Sequence, residues 1–310
     1  MTPIRHPGPE GTWLVRDHLE AVLFCRVNFV DMAEGARAAF DRWLDAVPRN
    51  ALKWARIGGN AAEPKPFGAT TIARCVDQLS PAKAAKREVS SFTLCGPQPY
   101  NSDYWFAAVG SADLFGPDAI DTEANFIEMR FPTEYLAERG VEPFVALMKD
   151  IAAGLPYSSG YASVALGYNA ESHVSEAAEI IAPLALRHHG YDVHRHRYVK
   201  YDIGDLSLGA RWLTLLGANL VEKLGGSEAL AKQLPGIGVE PAGAGLMLRA
   251  GEQPEIGDVN AQQGTPLLRM VAKAVEPVTL FGCQELLPLF VGNPETLDRW
   301  ERRFFPDFGV

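Results

Sequence analysis

EVSSFTLCG at residues 88–96, DYWFAAVG at 103–110 and ANFIEMRF at 124–131 follow one another with Gly, Pro and Asn clusters between them. Each run has the aromatic and β-branched content of a strand, and no intervening segment reads as a helix long enough for a parallel crossover. The three are therefore expected to pair antiparallel, which decides the fold class.

Working upstream, Ala21, Leu23, Cys25, Val27 and Phe29 recur at period two, with Arg26 and Asn28 opposite, so 21–30 reads as a half-buried strand. Asp31 with Glu34 three residues later resembles a capping box. Ala36, Phe40, Trp43, Leu44 and Val47 then follow helical spacing as far as Pro48. LKWARIG (52–58) is expected as a strand and 69–79 as a short helix. Downstream, Gly140 divides two helices, 132–139 and 142–153, and SGYASVALGYN (159–169) is strand-like. Val174, Ala177, Ala178, Ile181, Leu184 and Ala185 mark one face of a helix that Pro183 should kink and Gly190 should end.

ARWLTLLG (210–217) leads to helices from NLVEKLGG and 227–234, and IGVEPAGAGLMLRAG (237–251) is a hairpin candidate. Helices near 266–274 and 294–305 close the chain. The order predicts an α+β fold: mostly antiparallel sheet packed with helices, in two sheet-plus-helix lobes, 1–155 and 156–310, forming a single unit.

The chain has 310 residues, 47% of them hydrophobic, enough for a substantial core. Thirty-eight Asp and Glu against 29 Lys and Arg give a formal charge of −9, which disfavours nucleic acid and anionic membrane and favours a basic partner. Cys25, Cys75, Cys95 and Cys283 lack metal-site spacing and read as reduced core residues. The sequence suggests neither a signal peptide nor a membrane-spanning helix.

HHGYDVHRHRYV (188–199) holds four of the seven histidines. Asp192, His194 and His196, spaced by two, could offer two nitrogens and a carboxylate to zinc or iron, as in a metal-dependent hydrolase. Arg195 and Arg197 interleave, however, and a surface strand is the simpler expectation, with His188 and His189 at a helix C-terminus. Ser158 and Ser159 before Gly160 fit a turn better than a nucleophile. No nucleotide loop, nucleophile elbow or HExxH pattern is present. Glu252, Glu255 and Asp258 recur every three residues around Pro254 and Gly257, as a solvated acidic loop suited to a basic partner. Asp202 and Asp205 extend that candidate set, and Trp105 is the candidate aromatic anchor.

FPTEYLAERG, SSGYASVALGYN, RHHGYDV, RWLTLLGANLVEKLGG, GAGLMLRAGEQPEIGDVN and AKAVEPV occur in that order. Together they resemble the type VI secretion immunity protein family, from the first strand to Phe305, with the N-terminal decapeptide outside the likeness. RWLTLLG and AGEQPEIGDVN are its most specific segments. The resemblance implies a cytoplasmic antidote that binds a toxic effector encoded beside it. For some members that effector is a nuclease of restriction-endonuclease type, which implies a toxin partner with a basic cleft. It implies no catalytic residues and no cofactor, and it makes RHHGYDV a glycine turn into the next strand.

Overall fold

The computed structural model describes residues 3–58, 62–117, 119–169, 172–193 and 196–305. Its strands are β1 (Arg5–Pro7), β2 (Trp13–Cys25), β3 (Trp54–Ile57), β4 (Lys65–Pro66), β5 (Val89–Cys95), β6 (Trp105–Ser111), β7 (Asn125–Phe131), β8 (Ser159–Tyr168), β9 (Asp192–Val193), β10 (Leu213–Leu216), β11 (Gly238–Ala242) and β12 (Gly245–Arg249). Its α-helices are α1 (Phe29–Ala46), α2 (Thr71–Gln78), α3 (Pro81–Ala84), α4 (Tyr135–Arg139), α5 (Val141–Ala153), α6 (Val174–Arg187), α7 (His196–Val199), α8 (Ala218–Lys223), α9 (Ser227–Gln233), α10 (Pro266–Val275) and α11 (Pro294–Glu301).

All twelve strands join one sheet in the order β11-β12-β10-β8-β2-β7-β6-β5-β3-β4, with β1 beside β2 and β9 beside β8. Its ladders are antiparallel except for the short β8–β9 pair. The fold is therefore α+β, and β5-β6-β7 is the antiparallel meander expected from 88–131. The sheet is continuous across residues 154–158, because β8 pairs with β2 over ten residues.

The central strand departs from expectation. It starts at Trp13 and ends at Cys25; β7 and β8 occupy its two edges and other elements cover its two faces, so all but its first two residues are buried. Val27 to Val30 are not strand: α1 begins at Phe29, with Asn28 rather than Asp31 at its N-cap position. The Asn28 side chain accepts instead from the amide of Leu114 (2.8 Å), tying the strand-to-helix corner to another loop.

Alternation along β2 separates two interiors. Leu19, Ala21 and Leu23 pair with Phe131, Met129 and Ile127 on an apolar face. α1 covers it through Phe40 and Trp43, whose rings lie 5.0 and 5.6 Å from Phe106, and α5 covers it through Phe144, 5.6 Å from Phe131. α1 comes so close to the end of α5 that a Cβ at Gly35 would lie 2.1 Å from the Gly154 carbonyl oxygen. The other face carries Arg16, His18 and Glu20, with Arg130 opposite Glu20 and Glu128 and Tyr161 opposite Val22. It is as buried as the first.

α6 continues through Pro183 to Arg187. Gly190 does not supply a left-handed cap, since it has no positive φ. It is small because the 255–256 backbone crosses over it: a Cβ there would lie 1.8 Å from the Glu255 carbonyl oxygen, and its amide donates to Ile256 O (2.8 Å).

Candidate functional site

The polar face holds a dense ionic layer. Arg130 Nε donates to Glu128 Oε1 (2.6 Å) and lies 3.5 Å from Glu20 Oε1. Trp105 Nε1 donates to Glu128 Oε2 (2.9 Å), and the Arg130 guanidinium lies 4.7 Å from the Trp105 ring centre. His196 Nε2 lies 2.6 Å from Glu128 Oε2, with Nδ1 3.8 Å from Glu20 Oε1. Tyr161 OH donates to Glu20 Oε2 (2.6 Å), and His18 Nε2 lies 3.5 Å from Glu20 Oε1. Beside them Arg211 grips Asp192 with two 2.8 Å bonds. Burial, reinforced by Arg130 and Arg16 and opposed by the Glu20 contact, pushes the His18 pKa down to about 4. Burial, together with Glu20 and Asp192, holds the Tyr161 hydroxyl well above its usual range.

Glu20, Glu128 and His196 are, among the described residues, the one group of His and carboxylates spaced like metal ligands. It does not fit a cation. All three are 0% exposed, and the guanidinium of Arg130 already contacts both carboxylates. The set expected from spacing is not the set assembled. His194 lies outside the described residues, Asp192 is held by Arg211, and only His196 enters the cluster. The expected surface strand is likewise replaced by a two-residue parallel strand and a helical turn, with Asp192 and His196 completely buried. Each has an oppositely charged or hydrogen-bonding partner close by, which is the condition for burying such groups. Ser158 Oγ donates to Phe24 O (3.0 Å) and Ser159 is buried.

The other candidates fall at three places. Trp105 is 5% exposed and faces the ionic layer, so it anchors inward rather than outward. Glu252, Glu255 and Asp258 follow β12. Glu252 is exposed. Glu255 Oε2 accepts the Leu267 and Leu268 amides (3.0 and 3.1 Å) at the start of α10, and burial raises its pKa against those bonds. Asp258 is bound by two bonds from Arg187 (2.9 and 2.6 Å) and caps the turn at 259–261, so its pKa falls to about 2. The loop expected to be freely solvated is thus partly a capping device.

Asp202 and Asp205 lie at the opposite end of the strands, both exposed. They sit on the segment after α7, which is tied to the loop between β6 and β7. Ala124 N donates to Lys200 O (2.7 Å), Gly204 N to Thr122 O (2.9 Å) and Thr122 Oγ1 to Tyr201 O (2.6 Å). Arg26 joins the two loops, donating to Asp121 O (2.8 Å), with Nε 3.9 Å from Asp205 and its guanidinium 5.7 Å from the Phe115 ring centre. A hollow of about 370 Å³ opens there, lined by Arg26, Phe115, Tyr157, Asp205 and Asn219.

The family model for type VI immunity for VRR-NUC (TsiV) matches residues 36–304. The chain belongs to that family. Among solved structures, the chain is similar in fold to the Pseudomonas aeruginosa T6SS protein PA0821, with a TM-score of 0.74 and 19% identity, over 97% of this chain and 87% of that one. No curated protein matches by sequence. The type VI immunity match spans both halves of the sheet, and the expected role in bacterial competition stands with it. No helix among the described residues is long and apolar enough to cross a membrane.

Four large hydrophobic side chains of this immunity protein, on or beside its loops, carry no signal in the sequence patterns. Phe115, Ile120, Tyr198 and Tyr201 are exposed by 59, 48, 39 and 38%. They lie in or beside segments without regular periodicity, so the patterns that identify strands and helices say nothing of them. The only available signal was a large apolar residue inside a Gly, Pro and Asp cluster.

Proposed function

We propose that this chain is the antidote to a VRR-NUC nuclease effector: it binds the effector in the cytoplasm, covers its active site and turns over no substrate. Family membership over residues 36–304 carries the reading. The charge agrees with it. A nuclease needs cations for the phosphate backbone, and a chain of net charge −9 competes for those cations. The ionic layer agrees too, because a general acid or base must come within hydrogen-bond reach of a substrate, and Glu20, Glu128 and His196 are sealed inside.

Residues 1–155 and 156–310 act here as lobes of one binding unit. Asp202, Asp205 and Glu252 are the exposed acids of the proposed partner surface, and Glu255, Asp258 and Trp105 are its less exposed members. The test is nuclease activity of the VRR-NUC effector from the same genome, with and without the purified chain, alongside survival of cells producing both. Stoichiometric loss of DNA cleavage and restored growth are expected. Undiminished cleavage at excess chain would overturn the reading.

A further inference from the structure

Four of the seven large hydrophobic side chains exposed among the described residues fall on two short segments, 115–120 and 198–201. Elsewhere such residues occur singly, which is ordinary for a folded surface; a concentration beside a hollow is not. The hollow under Phe115 shares Ala218 and Ala244 with a second of about 580 Å³ that runs along α8 toward Ser227. The surface is thus a groove across the ends of β2, β8 and β10, with aromatic side chains at one side.

The charges around the groove decide its occupant. Asp113, Asp121, Asp202 and Asp205 are all exposed. Asp113, Asp121 and Asp202 have no ion-pair partner among the described residues. The nearby cations are already engaged: Arg26 with Asp121 O and Asp205, Lys200 with Glu123, and Lys223 with Asp205 O (3.3 Å). An incoming group therefore meets aromatic surface flanked by unneutralised carboxylates.

We infer that this groove, lined by Phe115 and Asp205 and flanked by Tyr201 and Asp202 on the segment that carries Asp205, receives a basic segment of the effector, with Arg or Lys on the carboxylates and an apolar or stem carbon surface against the rings. The inference rests on the proposed function and adds to it the place of contact. A long cationic side chain suits both parts, since its stem covers apolar surface while its head reaches a carboxylate. The loops are held in position from inside: α7 begins at buried His196, and the amides of Asp202 and Ile203 donate to Val199 O (2.9 Å each).

The experiment measures binding of the purified VRR-NUC effector to the full chain, to Phe115→Ala/Tyr201→Ala, to Asp202→Lys and, as a control on the exposed side of α6, to Glu179→Lys. Thermal unfolding checks that each variant is folded. Expected are at least tenfold weaker binding for the double variant and for Asp202→Lys, and an unchanged affinity for Glu179→Lys. Binding by the wild type that survives both groove changes overturns the inference and leaves the antidote reading standing. A wild type that fails to bind overturns both. Sedimentation supplies the remaining outcome: a wild-type dimer that Phe115→Ala/Tyr201→Ala converts to monomer would assign the groove to a second copy of this chain and overturn the inference.

Discussion

Glu20 and Glu128 beneath the sheet and Asp202 and Asp205 at its end are all carboxylates, yet they stand in opposite situations. The inner pair is fully buried and shared among Arg130, His196, Tyr161 and Trp105. The outer pair is open to water, and Asp202 has no ion pair among the described residues. Inside, a carboxylate costs several kcal/mol of lost hydration unless its partners replace the water. Outside it costs almost nothing and keeps its charge for another molecule. The same chemical group therefore specifies the fold in one place and is free for recognition in the other.

The sharpest way to break that contrast is to remove the inner cation. Arg130→Met leaves Glu128 and Glu20 facing each other without a guanidinium, and loss of one member of a buried pair costs about 3–5 kcal/mol. Urea denaturation should show that loss directly. Stability within 1 kcal/mol of the wild type would mean that the layer is not held by charge. A drop in pH tests the same layer without mutation. His18 stays neutral in the fold down to about 4, whereas an unfolded chain takes up its proton near 6.5. Its contribution is therefore complete above pH 6.5 and declines as the pH falls toward 4, by roughly 3 kcal/mol. His189, lowered to about 4 by burial and then by Arg303, acts in the same direction. Denaturation at pH 7, 5.5 and 4.5 should trace the decline, and His18→Asn should make it shallower while the share of His189 remains.

Trp105→Phe comes next in size. It keeps most of the buried ring surface but takes a hydrogen bond from Glu128, leaving a buried acceptor short of one partner at a cost of about 1–3 kcal/mol. Thermal unfolding measures it. A loss of effector affinity out of proportion to the lost stability would show that Trp105 also acts on the partner surface directly.

Trp105 also shows how far the sequence could be read. The strands at 88–131 were legible because alternation and turn residues act locally, and the antiparallel meander followed from connection length alone. The 237–251 hairpin was legible for the same reason. What Trp105 faces was not, because Glu128, Arg130 and His196 meet it only through pairing register and through a helical turn about ninety residues away. Asp192 and His196 looked like a ligand pair by spacing, but long-range partners separated them: Arg211 took one and Glu128 the other. Glu255 illustrates the converse, since its role in capping α10 appears only once the chain has folded back to present two amides. Charge and composition could indicate that acidic residues matter, without telling those that cap from those that remain open.

Asp202→Asn yields the smallest change in the fold and is the most informative about the outer pair. The side chain is exposed and makes no ion pair among the described residues, so unfolding free energy should stay within about 0.5 kcal/mol of the wild type. Its charge nevertheless adds to the field that draws a cationic partner, and removing a rim charge acts on the association rate and its salt dependence more than on dissociation. Stopped-flow association with the effector should therefore slow at low ionic strength and converge with the wild type as salt shortens the Debye length toward 3 Å at about 1 M. A stability change larger than the rate change would place Asp202 with the inner carboxylates. An unchanged rate at low salt would show that the open charge faces no cation, which removes the electrostatic half of the contrast.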